Sequence, residues 1–119
     1  MADEMDKCKN QIQIIGALKN KRFNQTAKGI SYLNLYINTK TERGSFFSIG
    51  VTFWDKLAKE LNEQIEIILP DIEDGDPIDL NNTIFLKVAG ELRENVWMNN
   101  KKVEVKQMQI TGKKYKIVD

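Results

Sequence analysis

Two stretches decide the fold class: Ile30-Ser31-Tyr32-Leu33-Asn34-Leu35-Tyr36-Ile37-Asn38, then Phe46-Phe47-Ser48-Ile49-Gly50-Val51-Thr52-Phe53-Trp54. Both alternate with period two, the mark of half-buried strands. In the first, Leu33, Leu35 and Ile37 share one face, and Tyr32, Asn34, Tyr36 and Asn38 share the other. In the second, Phe47, Ile49, Val51 and Phe53 point one way, and Phe46, Ser48, Gly50, Thr52 and Trp54 the other. The polar stretch from Thr39 to Gly44 between them reads as a turn.

Upstream, a strand opens at Asn10, where Ile12 and Ile14 alternate with Gln11 and Gln13 until Gly16 interrupts. Residues 19–29 are polar and end in Lys28-Gly29, which predicts a loop or hairpin turn. Residues 1–9 are polar and expected to be flexible. Downstream, Asp55 is placed to cap a helix to about Asn62, with Leu57, Ala58 and Leu61 as its apolar stripe. Residues 63–82 hold both prolines and are strongly acidic. They read as a long loop insertion containing a short strand at Ile65–Leu69. A long strand follows from Ile84 towards Trp97, then a turn at Asn99-Asn100 and a last strand opened by Val103 and Val105. Met108 and Ile110 continue out of phase, which predicts a bulge near Lys106-Gln107. The sum is an all-β chain: one OB-fold domain over residues 10–119, a five-stranded Greek-key barrel with one short helix between strands 3 and 4. SH3-like barrels share much of this order without the helix.

Composition narrows the chemistry. The 119 residues contain no His and a single Cys, Cys8. Ser-His-Asp and Cys-His catalysis, His-ligated metals, intrachain disulfides and cysteine-cluster metal sites are therefore excluded within one chain. The acidic run from Asp71 to Asp76 fails the EF-hand pattern, because with Gly75 at position six Pro70 takes position one. Acids on the strands, Glu91, Glu94 and Glu104, alternate to the surface. No enzyme, metal or cofactor is expected. The N-terminus has no positive n-region or apolar h-region, and no apolar run approaches the roughly 20 residues of a membrane span, so a cytoplasmic protein is expected.

A net charge of +1 conceals a sharp division. Eight of the 17 acids and none of the 18 bases lie in residues 60–79, leaving 18 bases against nine acids elsewhere. The bases cluster as Lys19, Lys21, Arg22, Lys28, Lys40 and Arg43, and again as Lys101, Lys102, Lys106, Lys113, Lys114 and Lys116. The outward strand faces meanwhile carry Tyr32, Tyr36, Phe46, Trp54, Phe85 and Trp97. Aromatics with interspersed polar residues and nearby bases suit a stacking platform, since every base has a π face and phosphates need cations. Candidate nucleic-acid contacts are Trp54, Trp97, Tyr32, Tyr36 and Phe46 for bases, and Lys19, Lys21, Arg22, Lys87, Arg93, Lys101 and Lys102 for phosphates. The acidic stretch is expected to lie away from the phosphate path.

Four segments resemble the bacterial and phage single-stranded DNA-binding proteins, the SSB family. Asn10-Gln11-Ile12-Gln13-Ile14-Ile15-Gly16-Ala17-Leu18 is similar to that family's first strand, and Leu33-Asn34-Leu35-Tyr36-Ile37 to its second. Phe53-Trp54-Asp55-Lys56-Leu57-Ala58 resembles its aromatic-Gly-Lys-x-Ala helix entry, with Asp55 in place of the glycine. Gly90-Glu91-Leu92-Arg93, with Trp97 four residues on, resembles its Gly-x-Leu-Arg strand leading to a stacking tryptophan. The resemblance implies an OB barrel, usually a homotetramer, that protects single-stranded DNA in DNA replication, recombination or repair. It implies stacking roles for Trp54 and Trp97. The first loop is shorter than in the family, the tryptophan often found between strands 2 and 3 is missing, and no Gly/Pro/Gln-rich tail with an acidic tip follows the last strand. Those departures favour a bacteriophage- or plasmid-type member and put tail-mediated recruitment of replication or recombination proteins in doubt. Two other classes stay open: an OB-fold that binds RNA or serves a primosome or ribosome, and a protein-interaction module with aromatic anchors.

Overall fold

The computed structural model describes residues 8–118, so most of the N-terminal stretch expected to be flexible lies outside the described residues. The chain forms β1 (Ile12–Gln25), β2 (Ser31–Lys40), β3 (Phe46–Trp54), α1 (Asp55–Ile68), a 3-10 turn at Leu80–Asn82, β4 (Phe85–Met98) and β5 (Glu104–Val118). The five strands close into a ring in the order β1-β2-β3-β5-β4. All pairings are antiparallel except β3 with β5, which meet in parallel at Val51–Ile110 and Thr52–Thr111.

The period-two faces of β2 behave as read, and those of β3 do so in its second half, whereas Phe47 at its start is exposed beyond the core. Leu33, Leu35, Ile37, Val51 and Phe53 are buried and meet Leu18, Leu86, Val88 and Ile110 from the other strands. Helix α1 adds Ala58, Leu61 and Ile65 to the same core. Each such aliphatic side chain contributes roughly 1.5–3 kcal/mol by leaving water.

Several boundaries differ from the sequence reading, each for a physical reason. Residues 19–25 are strand, not loop: β1 continues to Gln25 and pairs with β2 from Ala17↔Asn38 to Gln25↔Ser31. A register irregularity between Leu18 and Asn20 breaks the alternation, and a lysine rather than an aliphatic takes the inward place at position 21. The hairpin turn is confined to Thr26–Ile30, closed by the Thr26 N–H donating to the Ile30 carbonyl. The helix runs on to Ile68 because Ala58, Leu61 and Ile65 extend one helical face, so Ile65–Ile68 is helix and not strand. Pro70 then disfavours helical backbone before it. Asp55 does not cap the helix: Trp54 is the cap residue, with no side-chain bond, and Asp55 takes φ 59°. Aspartate is among the few residues that tolerate the left-handed region.

In β5 the β4 register is continuous from Gly90↔Gly112 to Met98↔Glu104, so no irregularity falls at Lys106-Gln107. The extra residue is Lys113, between Ala89↔Lys114 and Gly90↔Gly112. The β4–β5 turn is wider than Asn99-Asn100 alone. The Asn99 Oδ1 accepts from the Lys101 and Val103 N–H groups, and Lys102, not an asparagine, holds positive φ.

Gly112 faces the core where β5 crosses Phe53, and a β carbon there would run into the Phe53 ring. Gly50 faces outward, where an added β carbon meets Gln109 and Tyr36 at ordinary contact distances of 3.7–3.8 Å. Gly112→Ala is therefore expected to cost about 1–3 kcal/mol in urea unfolding. Gly50→Ala is expected to change stability by less than about 1 kcal/mol. Equal effects from the two would contradict this packing.

Candidate functional site

The outward faces of β1, β2, β3, β5 and β4 meet in a groove of about 350 Å³. Its floor is Gly50 and Thr52 of β3, and Asn34 and Tyr36 of β2 stand beside them. Arg22 closes it from β1, and Arg93 and Asn95 of β4 reach it beside Gln109 of β5. The absent side chain at Gly50 is what leaves the floor open. Polar contacts fix the walls: Thr52 Oγ1 donates to Asn34 Oδ1 at 2.8 Å, and Arg93 Nη2 donates to Gln109 Oε1 at 3.2 Å. A guanidinium thus sits on each side of a depression with aromatic and amide edges.

The aromatics expected to face outward do so. Tyr36, Trp54 and Trp97 are 40–41% exposed, and Phe46 is 71% exposed. Tyr32 is half-buried and lies against Trp54, ring centroids 5.4 Å apart and planes tilted by 43°. It buttresses the indole more than it offers a free face. Trp97 pairs with Val105 on β5. Carried along the parallel β3–β5 register, that level is the Phe46 end of β3, while Trp54 stands at the opposite end. The two indoles therefore bracket the groove over roughly 25–30 Å at 3.4 Å per strand residue.

The basic candidates divide. Arg22 and Arg93 line the groove. Lys19 is exposed beside it, its Nζ donating to Ser48 Oγ at 3.3 Å. Lys101 and Lys102 are exposed at the β4–β5 tip, beyond Trp97. Lys87 is elsewhere, on the part of β4 that pairs with Ile15 of β1 and Lys116 of β5. Phe85 is exposed on that same wall.

Lys21 must be struck from the phosphate contacts. It is 2% exposed, and its Nζ donates to Asn62 Oδ1 at 2.9 Å, Asp74 Oδ1 at 2.8 Å and Glu66 Oε1 at 3.4 Å. The acidic segment is likewise not a free excursion. The Gly75 and Ile78 N–H groups donate to the carbonyls of Lys21 and Lys19, each at 2.8 Å. Asp74 Oδ2 accepts from the Phe23 N–H at 2.9 Å. Ile78 is buried in the core. The segment thus covers the edge of β1 that β4 leaves unpaired, and Gly75 lies against the Arg22 guanidinium. It borders the groove on the β1 side beside Arg22, rather than standing apart from that face as expected for the acidic stretch.

Asn95 and Gln109 were not singled out from sequence. Asn95 was visible in the alternation Arg93, Asn95, Trp97. Gln109 was equally available, since the expected phase with Met108 and Ile110 inward turns it outward, but a lone amide between apolar residues carries no signal by itself.

Among the described residues no three His, Cys, Asp or Glu side chains gather as a metal site, and no helix is long and apolar enough to cross a membrane. No protein-family model matches the chain, and no curated protein matches it significantly. The resemblance drawn from four short motifs stands on those residues alone.

Partial burial raises the Asp74 carboxyl, but the Lys21 hydrogen bond, the Phe23 N–H and the charges of Lys21 and Arg22 outweigh it and hold the pKa below the ordinary 3.8. A carboxyl depressed by folding contributes stability above its unfolded pKa and loses it as pH falls through the folded value. The parent is therefore expected to melt above Asp74→Asn at pH 7, and the gap to shrink as pH falls below about 4. A gap unchanged from pH 7 to pH 3 would show that the carboxylate charge does not hold this segment.

Proposed function

We propose that the chain is an OB-fold that binds single-stranded DNA in the groove with little sequence preference, protecting it in replication, recombination or repair. The observation that carries this is the pair of guanidiniums, Arg22 and Arg93, facing a groove bracketed by exposed indoles. Cations there neutralise phosphates and the rings stack on bases, at about 1–3 kcal/mol per base. Among the described residues no helix projects from this face to enter a duplex groove. The strand order supports the barrel class: β4-β1-β2-β3 run side by side in the ring, the 4-1-2-3 order of a Greek key. The helix between β3 and β4 fits the same class. Asp55 supports the resemblance to the SSB family, because its left-handed backbone is what the glycine of that family's motif would serve.

Tryptophan fluorescence titrated with oligo-dT tests the proposal. Binding is expected to quench emission and to weaken with salt, with a log–log slope of about −0.7 per phosphate neutralised. A flat salt response, or tighter binding to duplex or to oligo-rU, would overturn it. Neighbouring residues supply an internal contrast. Arg22→Gln is expected to weaken binding with little change in melting temperature. Lys21→Gln is expected to cost about 2–4 kcal/mol of stability, discounted for its half-exposed carboxylate partners, while the protein still folded binds like the parent. Trp97→Ala is expected to cost about 1–3 kcal/mol of binding at unchanged stability. Trp54→Ala is expected to lower both, because its ring also packs on Tyr32.

A further inference from the structure

The wall formed by the N-terminal halves of β1 and β4 with the C-terminal half of β5 is separate from the groove, and its charge pattern is unusual. Two cross-strand rows run over it: Ile15–Lys87–Lys116 and Gln13–Ala89–Lys114. Lys87 and Lys116 are directly opposed, and Lys114 stands two residues further along β5. Like charges directly opposite one another across a pair of strands destabilise it. Among the described residues, these two rows hold three ammonium groups and no carboxylate.

The surface is not flat. Hollows of about 510 Å³ and 340 Å³ lie along it, floored by Ala89 and Gly90 and edged by Lys113, Lys114 and Lys116, with Glu91 on the rim of the larger one and, among the described residues, no acid in the smaller. Ile15 and Phe85 are about half exposed beside the lysines. Cations at strand spacing, an exposed ring and small residues between them are the parts of a single-strand platform.

The wall is also continuous with the groove. Phe85, Lys87, Ala89, Glu91, Arg93, Asn95 and Trp97 form one outward row of β4, its first half on the wall and its second half on the groove. From Arg93 to Lys87 is roughly 20 Å along the strand. The row offers a chain leaving the groove at Arg93 a way onto the wall, past the one carboxylate it contains, Glu91.

We propose that this wall is a second phosphate-binding surface, on which Lys87, Lys114 and Lys116 hold the continuation of the single strand that occupies the groove. The ligand class rests on the groove reading, and oligomer length separates the two. A dT oligomer of about 6 nucleotides reports the groove, and one of about 20 nucleotides extends past it. The triple variant Lys87→Gln, Lys114→Gln, Lys116→Gln keeps every groove residue and every core residue. It is expected to bind the short oligomer with parental affinity and quenching. For the long oligomer, affinity at low salt is expected to fall at least about tenfold, with the salt slope shallower by about 2, at 0.7 per lost phosphate contact.

Parental affinity and slope for the long oligomer would overturn the proposal. So would an unchanged slope accompanied by self-association of the variant in sedimentation, since the lysines would then act only to keep sheet faces apart. A parent that binds neither oligomer sinks groove and wall together. A parent that binds both alike and a variant that matches it sink the wall alone.

Discussion

In a closed five-stranded ring every strand has two neighbours, and β1 meets its two along different halves. From Ile12 to Ala17 it pairs with β4, and from Ala17 to Gln25 with β2. The bend is made where both neighbours approach. Gly16 lies where a β carbon would collide with the Asn38 carbonyl, and the register slips between Leu18 and Asn20 immediately after. A bulge beside a glycine is how a strand turns a barrel corner without abandoning its ladder. Everything else in the structure follows from that corner, including which way the outward residues of β1 face.

Beyond the corner, the edge of β1 that β4 has left presents unpaired carbonyls. The acidic segment covers them, with Gly75 and Ile78 donating to Lys21 and Lys19. Closure also turns residue 21 inward, and the lysine there is held by Asn62, Glu66 and Asp74. A buried ammonium is tolerable only when paired and hydrogen-bonded. The acidity of this segment therefore has a structural component that its composition alone does not reveal. Glu66 and Asp74 answer one buried base, and Ile72 and Ile78 fasten the segment to the core.

The parts legible in sequence were those governed by one clear period. Leu33, Leu35 and Ile37 against Tyr32 and Tyr36 gave correct faces, as did Val51 and Phe53 against Thr52 and Trp54, and the outward aromatics came with them. Legibility failed where the period was masked. Lys21 in an inward place made β1 look like loop from residue 19. The apolar cluster Ile65, Ile67, Ile68 and Leu69 suits either period, and only packing of Ile65 beside Leu61 decides for helix. In β5 the true irregularity at Lys113 is dictated by the β4 register at Gly90, a long-range pairing that no local pattern encodes. Gln109 joins the groove through a pairing of the same kind, opposite Arg93.

The charge division closes the argument about binding surfaces. Net charge describes the far field, but beyond about 8–10 Å at physiological salt that field is screened. A bound strand senses the cations beside it. Arg22 and Arg93 are on the groove and Lys87, Lys114 and Lys116 on the wall, whereas Glu66 and Asp74 gather at Lys21 where the segment after α1 covers β1. At Arg22 the two domains of charge touch, with Gly75 against its guanidinium and Asp74 close enough to be lowered by it. Asp74, the carboxylate beside Arg22, is already committed to Lys21 and the Phe23 N–H, while Glu91 stands two residues from Arg93 on the outward row of β4. A chain with a formal charge of only +1 can therefore keep a cation at Arg22, because the acid beside it is occupied in holding its segment onto β1.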